Sequence, residues 1–310
     1  MITALGGGVG AAKFLKGLSH VVNPGNLTAV INTADDIDIY GFRVSPDIDT
    51  VVYRLAGLID RKKGWGLEND TYNTLSILKQ LGYETWFRLG DKDFGIQVFK
   101  ALLTKKGMTV SEVTRELLKK LNISGTSILP MSDERVETWI ETDDAPIHFQ
   151  EYYIKYGMTP AVSGVEFVGS SAARPAPGVV ESIMNSELVF ISPSNPIISI
   201  GPILNINGIR NALVETEARV VAVSPLIGGR PLKGPADKLM KGLGMEVSSK
   251  QIANIYIDFL DVMVIDKQDS FEERGIREMG LDILVADTIM ANDRKSRDMS
   301  KIILGYLNYL

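Results

Sequence analysis

The sequence contains no cysteine and only two histidines, His20 and His148. Without cysteine the protein has no disulfide, no thiolate nucleophile and no thiolate-ligated metal, and two histidines argue against a histidine-rich metal site. A bound metal ion would instead be hard and coordinated by oxygen. Magnesium is therefore the metal that we expect.

The chain also lacks a basic run and an apolar run long enough to cross a bilayer. Its 33 basic and 38 acidic residues give a net charge of -5, so we expect no extended positive surface for a nucleic-acid backbone or an anionic lipid. The first residues show no signal-peptide pattern. We expect a cytoplasmic protein that binds small molecules, not nucleic acids or membranes.

The order of the predicted elements indicates an α/β fold. The 310 residues are 45% hydrophobic, which is enough to bury the core of one large domain or of two smaller ones. The continuous apolar runs 188–191 and 220–223 are typical of parallel strands that are covered on both faces. We predict a doubly wound, Rossmann-like and mostly parallel sheet formed by residues 1–86 and 176–310.

The periodicity changes in the middle of the chain. Between residues 87 and 175, two helical patterns are followed by short apolar and aromatic stretches that predict strands. We place these strands at 127–131, 136–141, 148–154 and 165–168. The segment 87–175 is therefore expected to be an insertion of mixed helical and β structure.

The first predicted strand, residues 2–5, runs directly into Gly6-Gly7-Gly8-Val9-Gly10-Ala11-Ala12-Lys13. Glycines between a strand and a helix let backbone N–H groups approach a phosphate, and the helix dipole favours an anion there. Close packing of the turn would require the same residues, and a dinucleotide fingerprint also fits. A Walker A loop does not fit, because Lys13 is followed by Phe14 instead of Ser or Thr.

Aspartates are concentrated after the second predicted strand. Asp35 and Asp36 follow that strand directly, and Asp47 and Asp49 lie in the turn Ser45-Pro46-Asp47-Ile48-Asp49-Thr50. A carboxylate in such a turn is an ordinary helix cap. Carboxylates beside phosphate oxygens would instead repel them unless a divalent cation lay between, so these aspartates are also candidate metal ligands.

Polar loops follow later strands as well. Ser192-Pro193-Ser194-Asn195-Pro196 and Ser224-Pro225-Leu226-Ile227-Gly228-Gly229 each leave an apolar strand, and Lys233-Gly234-Pro235-Ala236-Asp237-Lys238 opens a helix. Serine, asparagine and proline are common turn residues, but ligands collect at the carboxyl ends of parallel strands. Several such loops in one sheet favour a binding site over turn chemistry alone.

A set of motifs that occur in order along nearly the whole chain resembles the 2-phospho-L-lactate transferase family, CofD. They are Gly7-Gly8-Val9-Gly10-Ala11-Ala12-Lys13, Asn32-Thr33-Ala34-Asp35-Asp36, Ser45-Pro46-Asp47-Ile48-Asp49-Thr50, Glu68-Asn69-Asp70-Thr71, Leu89-Gly90-Asp91-Lys92-Asp93, Leu129-Pro130-Met131-Ser132-Asp133, Ser194-Asn195-Pro196 and Gly234-Pro235-Ala236-Asp237-Lys238-Leu239-Met240. In the similar YvcK-type regulatory proteins the paired aspartates lead into a Gly-Ser-rich stretch, whereas here they lead into Ile37-Asp38-Ile39-Tyr40. A YvcK-like nucleotide-sugar-binding regulator and an NAD-dependent oxidoreductase are the alternative functions.

The resemblance implies a reaction. Members of the family transfer a 2-phospholactyl group from lactyl-2-diphospho-5′-guanosine to the ribityl hydroxyl of the deazaflavin FO, which gives F420-0, a precursor of coenzyme F420, and GMP. The donor of this chain is either the lactyl compound or an enolpyruvyl analogue. The resemblance further implies Mg²⁺ as cofactor and a homodimer.

Site residues follow from the resemblance and from the loop chemistry together. Asp49, as base or metal ligand, and Arg88 are expected to contact FO, with Asp49 as the catalytic residue. The donor is expected to bind to Gly7, Gly8, Gly10, Lys13, Ser194, Asn195 and Pro196. Candidate metal ligands are Asp47 and Asp49, with Asp36 as a weaker one. His148 is expected to be a histidine in a strand with its hydrogen bonds satisfied, not a catalytic one.

Overall fold

The computed structural model describes residues 1–310 and contains fourteen strands, most of them short. In chain order they are β1 (Ile2–Gly6), β2 (Leu27–Ile31), β3 (Ile37–Ile39), β4 (Phe42–Val44), β5 (Ser127–Pro130), β6 (Glu137–Glu141), β7 (Ile147–His148), β8 (Gly164–Val168), β9 (Leu188–Ile191), β10 (Arg219–Val223), β11 (Leu226–Ile227), β12 (Arg230–Pro231), β13 (Val262–Asp266) and β14 (Asp282–Ala286).

The α-helices alternate with these strands at both ends of the chain. They are α1 (Gly8–Ser19), α2 (Pro46–Leu55), α3 (Asn73–Gln80), α4 (Asp91–Thr104), α5 (Val110–Lys120), α6 (Val179–Met184), α7 (Gly201–Asn205), α8 (Ile209–Glu215), α9 (Ala236–Gly242), α10 (Ser249–Ile255), α11 (Glu273–Arg277) and α12 (Asp293–Tyr306). Two 3₁₀ helices (Pro24–Asn26 and Lys267–Glu272) and two π-helices (Glu151–Lys155 and Pro196–Ile200) complete the set.

Seven strands form the central sheet, in the order β14-β13-β10-β9-β1-β2-β5, and every neighbouring pair is parallel. The chain builds outward from β1 through β2 to β5, then returns to the other side of β1 and builds outward again from β9. The order therefore reverses between β1 and β9, the place where open α/β sheets bind ligands. The predicted doubly wound parallel α/β sheet is confirmed.

Successive residues of the central strands enter two separate cores, one on each face of the sheet. In β9, Val189 and Ile191 belong to the core formed with α6 to α11, whereas Leu188 and Phe190 belong to the core formed with α1, α2 and α12. Phe190 meets Phe14 of α1 edge to face, with ring centroids 5.3 Å apart. Both faces are covered, which explains why the strand sequences are continuously apolar.

The middle of the chain divides its strands between two sheets. Strand β5 lies within the predicted insertion 87–175, yet it forms the edge of the central sheet beside β2. Strands β7, β6 and β8 form a separate antiparallel sheet. The boundary drawn from the change in periodicity therefore does not follow the sheet, because periodicity shows that a strand exists and not which partner it pairs with.

The strand predicted at 148–154 is wrong over most of its length. Strand β7 ends at His148, and Glu151–Lys155 form a π-helix. Phe149 and Tyr153, four residues apart, stack with ring centroids 5.6 Å apart and an angle of 11° between the planes. Aromatic residues favour strands in isolation, but here packing at helical spacing overrides that preference.

No single helix of the structure is long and apolar enough to cross a bilayer. The segments Pro196–Asn205 and Ile209–Glu215 reach the necessary length and composition only as a pair bent by 87°. Most of their apolar side chains belong to the buried core.

Candidate active site

A cleft of about 820 Å³ opens at the carboxyl ends of the central strands, where the strand order reverses. Its floor consists of the loops after β1, β9, β10 and β14, and its other side is formed by residues 63–65, 86–88 and 149–154. Gly7, Gly8, Gly10, Lys13, Asp47, Arg88, Ser194 and Asn195 line it. Most of the sequence-predicted site residues are thus brought together.

The loops after β1 and β9 are packed into one unit. The Gly7 N–H donates to Ser194 Oγ (3.2 Å), and the Ser194 hydroxyl donates to the Gly7 carbonyl (2.9 Å). A Cβ on Gly10 would overlap the Pro193 carbonyl oxygen, so this glycine is required for close packing. Gly8 has a φ of +68°, a conformation that glycine adopts without strain.

This arrangement leaves the start of helix α1 facing the cleft. Gly7 is the N-cap residue of α1, and Gly8, Val9 and Gly10 of its first turn line the cleft. The first N–H groups of a helix have no partner within the helix, and they carry the positive end of its dipole. The packing and phosphate-binding interpretations of the glycine loop are therefore compatible, because the missing side chain of Gly10 allows close packing on Pro193 while the start of α1 still lines the cleft.

Two carboxylates, those of Asp35 and Asp47, enter the cleft beside the glycine loop. Asn32 Nδ2 donates to Asp47 Oδ2 (3.0 Å) and holds it in place, while Asp35 Oδ1 is buried without a hydrogen-bond partner. Burial raises the pKa of both carboxyls, and the charge of Asp47 raises that of Asp35 further. The immediate surroundings of these two carboxylates thus lack positive charge.

These two carboxylates fit a magnesium ion. Mg²⁺ is commonly held by one or two carboxylates together with water and the phosphate oxygens of a substrate. No cluster of three or more His, Cys, Asp or Glu side chains could hold a metal by itself. An unpartnered buried oxygen on Asp35 and the oxygens of Asp47 supply a partial site of the kind that a bound diphosphate would complete.

Asp36 and Asp49 lie outside the lining of this cleft. Asp36 is buried, accepts a hydrogen bond from Ser45 Oγ (2.8 Å) and lies 3.4 Å from Arg43 Nε. Burial raises the pKa of Asp36 to about 7. Asp49 is also buried, and its two oxygens lie 2.9 and 3.0 Å from Lys100 Nζ. Its carboxylate also accepts from Gln97 Nε2 (2.9 Å).

The start of α2 explains why Asp47 and Asp49 differ. Pro46 is the first residue of the helix, so both aspartates belong to its first turn. Residues two apart in a helix point about 200° apart. Asp47 and Thr50 therefore line the cleft, whereas Asp49 faces Lys100 of α4.

Four basic side chains surround the rest of the cleft: Lys13, Lys63, Arg88 and Lys233. Neither Lys13 nor Lys233 forms an ion pair. Burial lowers the pKa of Lys13, and the nearby charges of Arg54 and Lys233 lower it further. The charge of Asp293 acts in the opposite direction but forms no ion pair with Lys13, so two nearby ammonium groups that repel each other favour an anionic ligand in the cleft.

Asn195, which lines the same cleft, has an amide nitrogen without a hydrogen-bond partner. Its Oδ1 accepts from the Ile197 and Ile198 N–H groups (2.9 and 3.3 Å) and so caps the π-helix that begins at Pro196. Its Nδ2 is buried and has no hydrogen-bond partner. A buried amide donor without a partner is costly unless a ligand satisfies it. Pro196 itself is buried and lies outside the cleft lining.

Aromatic side chains also line the cleft. Trp65, Trp86, Phe149 and Tyr153 line the cleft, and Trp65 remains 39% exposed. Arg88 lies over the ring of Tyr72, with its guanidinium carbon 4.7 Å from the ring centroid. This end of the cleft suits a flat ring system, and the other end suits phosphate.

Comparison with known proteins identifies the family of this chain. The model of the family described as "2-phospho-L-lactate transferase CofD" matches residues 2–298. The 2-phospho-L-lactate transferase of Methanosarcina mazei is 42% identical over 96% of this chain and 97% of its own. The phosphoenolpyruvate transferase of Kitasatospora aureofaciens is 37% identical over 98% of this chain and 97% of its own.

The chain belongs to the CofD family. It is a transferase, and its relatives support a phospholactate transferase role in coenzyme F420 biosynthesis. A solved structure from Bacillus halodurans, described as a member of the UPF0052 family, superposes with a TM-score of 0.64 over 98% of this chain and 99% of its own. At 18% identity, this likeness shows the fold alone.

Sequence reasoning missed two features of this CofD-family cleft. It named Asp36 as a weaker metal ligand and left out Asp35, whereas Asp35 lines the cleft and Asp36 turns away to Ser45 and Arg43. It also did not assign a role to Lys233, although this lysine directly precedes the Gly-Pro-Ala-Asp-Lys motif. That position was the available signal. His148 lies in strand β7 as expected, but its hydrogen bonds are not all satisfied, because its Nε2 is buried without a partner; burial lowers its pKa.

Proposed function

We propose that this CofD-family transferase moves a 2-phospholactyl group, or its enolpyruvyl analogue, from a guanosine diphosphate donor to the ribityl hydroxyl of FO, releasing GMP. The observation that carries the proposal is the cleft itself. A phosphate-suited glycine loop, a pair of carboxylates and an aromatic wall line one cleft at the switch point of the sheet. The names of the relatives include both phospholactate and phosphoenolpyruvate transferases, so both donors are candidates.

The donor diphosphate is assigned to the glycine-loop end of the cleft. The backbone N–H groups of Gly8 and Gly10, at the start of α1, are assigned to the phosphates, whereas the Gly7 N–H already donates to Ser194 Oγ. Lys13 and Lys233 line the cleft without forming an ion pair and would supply positive charge to the donor. The unpartnered amide of Asn195 and the loop that contains Ser194 are assigned to the guanosine side.

Asp35 and Asp47 are the residues assigned to hold Mg²⁺. When bound, the ion would neutralise diphosphate charge and so allow two carboxylates to lie beside phosphate oxygens. Asp47 is held by Asn32, which in turn donates to the Ile198 carbonyl (3.3 Å). The loop after β9 and the start of α2 are thereby joined through one amide side chain.

The acceptor is assigned to the aromatic end. Trp65, Trp86 and Tyr153 offer ring faces or edges to a flat deazaflavin, and Arg88 offers hydrogen bonds to its polar edge. In the transfer, the FO hydroxyl oxygen forms a bond to the phosphorus that carries the lactyl group, and the bond from that phosphorus to the bridging oxygen breaks. GMP departs with the bridging oxygen, and the hydroxyl proton is released.

The base or metal-ligand role expected for Asp49 would require its carboxylate to leave Lys100. Asp47 already faces the cleft two residues earlier, and we assign that role to it. Transfer through a loose, charge-rich transition state depends mainly on positioning and on charge stabilisation. We assign both to the glycine loop, Lys13 and Lys233.

A thermal-shift comparison of GDP, NAD and UDP-sugars, each with and without Mg²⁺, tests the ligand class. A ligand that binds only the folded state raises the melting temperature. At concentrations above its Kd, the rise grows with the logarithm of the ligand concentration. We expect a shift with GDP that grows with Mg²⁺. A shift with NAD or a UDP-sugar and none with GDP would overturn the proposal.

A further inference from the structure

One wall of the cleft is a hairpin that has very little pairing of its own. Strands β11 and β12 share only two residue pairs, and the turn between them is Gly228-Gly229. Both glycines have positive φ, +59° and +71°, which matches the tight turn that joins two-residue hairpins. Ile227 and Pro231 of this hairpin line the cleft, as do Leu232 and Lys233, which follow it.

The tip of this hairpin is held by one buried carboxylate. Asp269 Oδ2 accepts from the Gly228 N–H (3.0 Å) and Asp269 Oδ1 from the Gly229 N–H (2.7 Å). The side chain is fully buried and forms no ion pair. A buried carboxylate without a cation is costly, and only strong hydrogen bonds offset the cost.

The other end of the hairpin carries Lys233 across the mouth of the cleft. Lys233 Nζ donates to the Lys63 carbonyl (2.9 Å), which belongs to the loop on the opposite side. A Cβ on Gly64 in that loop would lie 3.4 Å from Lys233 Nζ and 3.3 Å from Val9 of the glycine-loop helix. The ammonium group is thus held above the start of α1, close enough for its charge to lower the pKa of Lys13.

We propose that Asp269 is a positioning residue for the donor diphosphate: it clamps the Gly228-Gly229 turn and thereby holds Lys233 over the glycine loop. Asp269 itself does not line the cleft, so it acts only through the hairpin. This inference rests on the proposed donor site, because it requires an anionic ligand beside Lys13 and Lys233. Asp269 lies in the 3₁₀ helix Lys267–Glu272 and takes no direct part in the proposed reaction.

A double-mutant cycle on GDP affinity tests the proposal. Asp269→Asn places an amide against two N–H donors, and we expect it to raise the Kd for GDP, measured by calorimetry, about tenfold. We expect a similar increase for Lys233→Ala. If Asp269 acts through Lys233, the double variant binds only about as weakly as either single variant, since coupled residues are not additive. We expect Asp269→Asn to change donor KM and kcat in the same proportions as Lys233→Ala does, because both variants remove the same ammonium group from the donor site.

Glu272→Gln is the matched control. Glu272 is a buried carboxylate of the same 3₁₀ helix, but it accepts from the Lys250 N–H (2.7 Å) and does not contact the hairpin. We expect this variant to bind GDP normally and to show no coupling with Lys233→Ala. Additive losses in the Asp269→Asn, Lys233→Ala cycle, or an unchanged Kd in Asp269→Asn, would overturn the proposal.

Two further measurements keep the proposal testable if Asp269→Asn does not fold. Gly229→Val strains the turn, because a β-branched residue disfavours positive φ, but its Cβ meets no atom within 4 Å. We expect the same coupling with Lys233→Ala, and its absence would contradict the proposal.

Hydrogen exchange of the Gly228 and Gly229 amides tests the clamp without nucleotide. If they are protected in the wild-type protein but GDP does not bind, the proposed donor site fails and the clamp stands; unprotected amides overturn the clamp.

Discussion

The Gly7 backbone and the Ser194 side chain exchange two hydrogen bonds, one from the Gly7 N–H to Ser194 Oγ and one from the Ser194 hydroxyl to the Gly7 carbonyl. A hydroxyl can donate and accept at once, so a single small side chain satisfies both polar groups of one peptide position. The contact joins the loops after β1 and β9, the two strands between which the sheet order reverses. The geometry of the proposed phosphate site therefore depends on a residue from the far half of the chain.

Ser194→Ala should weaken GDP binding about tenfold and lower the free energy of unfolding by about 1–3 kcal/mol, because both Gly7 groups lose a buried partner. Isothermal calorimetry and denaturant unfolding measure the two effects. Ser182→Ala is the control: this buried hydroxyl donates to the Val179 carbonyl (2.8 Å) outside the cleft. The control should lose stability only, and equal GDP affinity in Ser194→Ala and wild type would refute the assigned role.

Asp47→Asn should abolish the increase in GDP affinity that Mg²⁺ produces and reduce transfer at least about 100-fold, since a neutral amide is a poor magnesium ligand. Titration of Mg²⁺ at fixed GDP gives the comparison. Asp36→Asn is the matched control, because Asp36 is equally buried but points to Ser45 and Arg43. Loss of the Mg²⁺ effect in Asp36→Asn with its retention in Asp47→Asn would reverse the assignment.

Substitutions in the Asp49–Lys100 ion pair distinguish a structural role for Asp49 from a catalytic one. Breaking a buried pair leaves one charge uncompensated, so Asp49→Asn and Lys100→Met should each lose about 3–5 kcal/mol of stability, while the double variant regains most of it. We expect the double variant to regain transfer as well. Stable protein without transfer would show that Asp49 acts on the acceptor, as the family resemblance implies.

The stability of the metal-free protein should fall as pH rises, in part because of Asp36. Burial raises the folded-state pKa of Asp36 to about 7, whereas an unfolded aspartate titrates near 3.9. The stabilisation is therefore present below about pH 4 and is lost between about pH 4 and 7, on the order of 4 kcal/mol in total. Unfolding in urea with a chelator, across this range, should show a flatter pH dependence for Asp36→Asn. Parallel curves for the two proteins would contradict the expected titration.

The central sheet could be predicted from the sequence because its strands are buried on both faces and read as unbroken apolar runs. Strand β5 could be predicted as a strand but not assigned to the central sheet. Its partner β2 is distant in sequence, and no local pattern encodes that pairing. The strand prediction for residues 148–154 was wrong for a related reason. Their aromatic content favours a strand, but the stacking of Phe149 on Tyr153 is a tertiary outcome.

The position of the glycine loop could also be predicted, because closely spaced glycines between a predicted strand and a predicted helix mark the turn between them. Which of Asp47 and Asp49 faces the cleft depends on the phase of helix α2. Once α2 is known to begin at Pro46, the 200° between Asp47 and Asp49 places them on opposite sides. The contribution of Lys233 depends on the hairpin that carries it, and nothing local in the sequence shows where that hairpin folds.

The most direct measurement is the transfer reaction itself. The protein is mixed with FO, Mg²⁺ and either the lactyl or the enolpyruvyl guanosine diphosphate donor, and the products are identified by mass spectrometry. We expect one of the two donors to give a phosphodiester of FO together with an equal amount of GMP, and only when Mg²⁺ is present. Unchanged FO and no GMP with both donors, from folded protein, would contradict the proposed function.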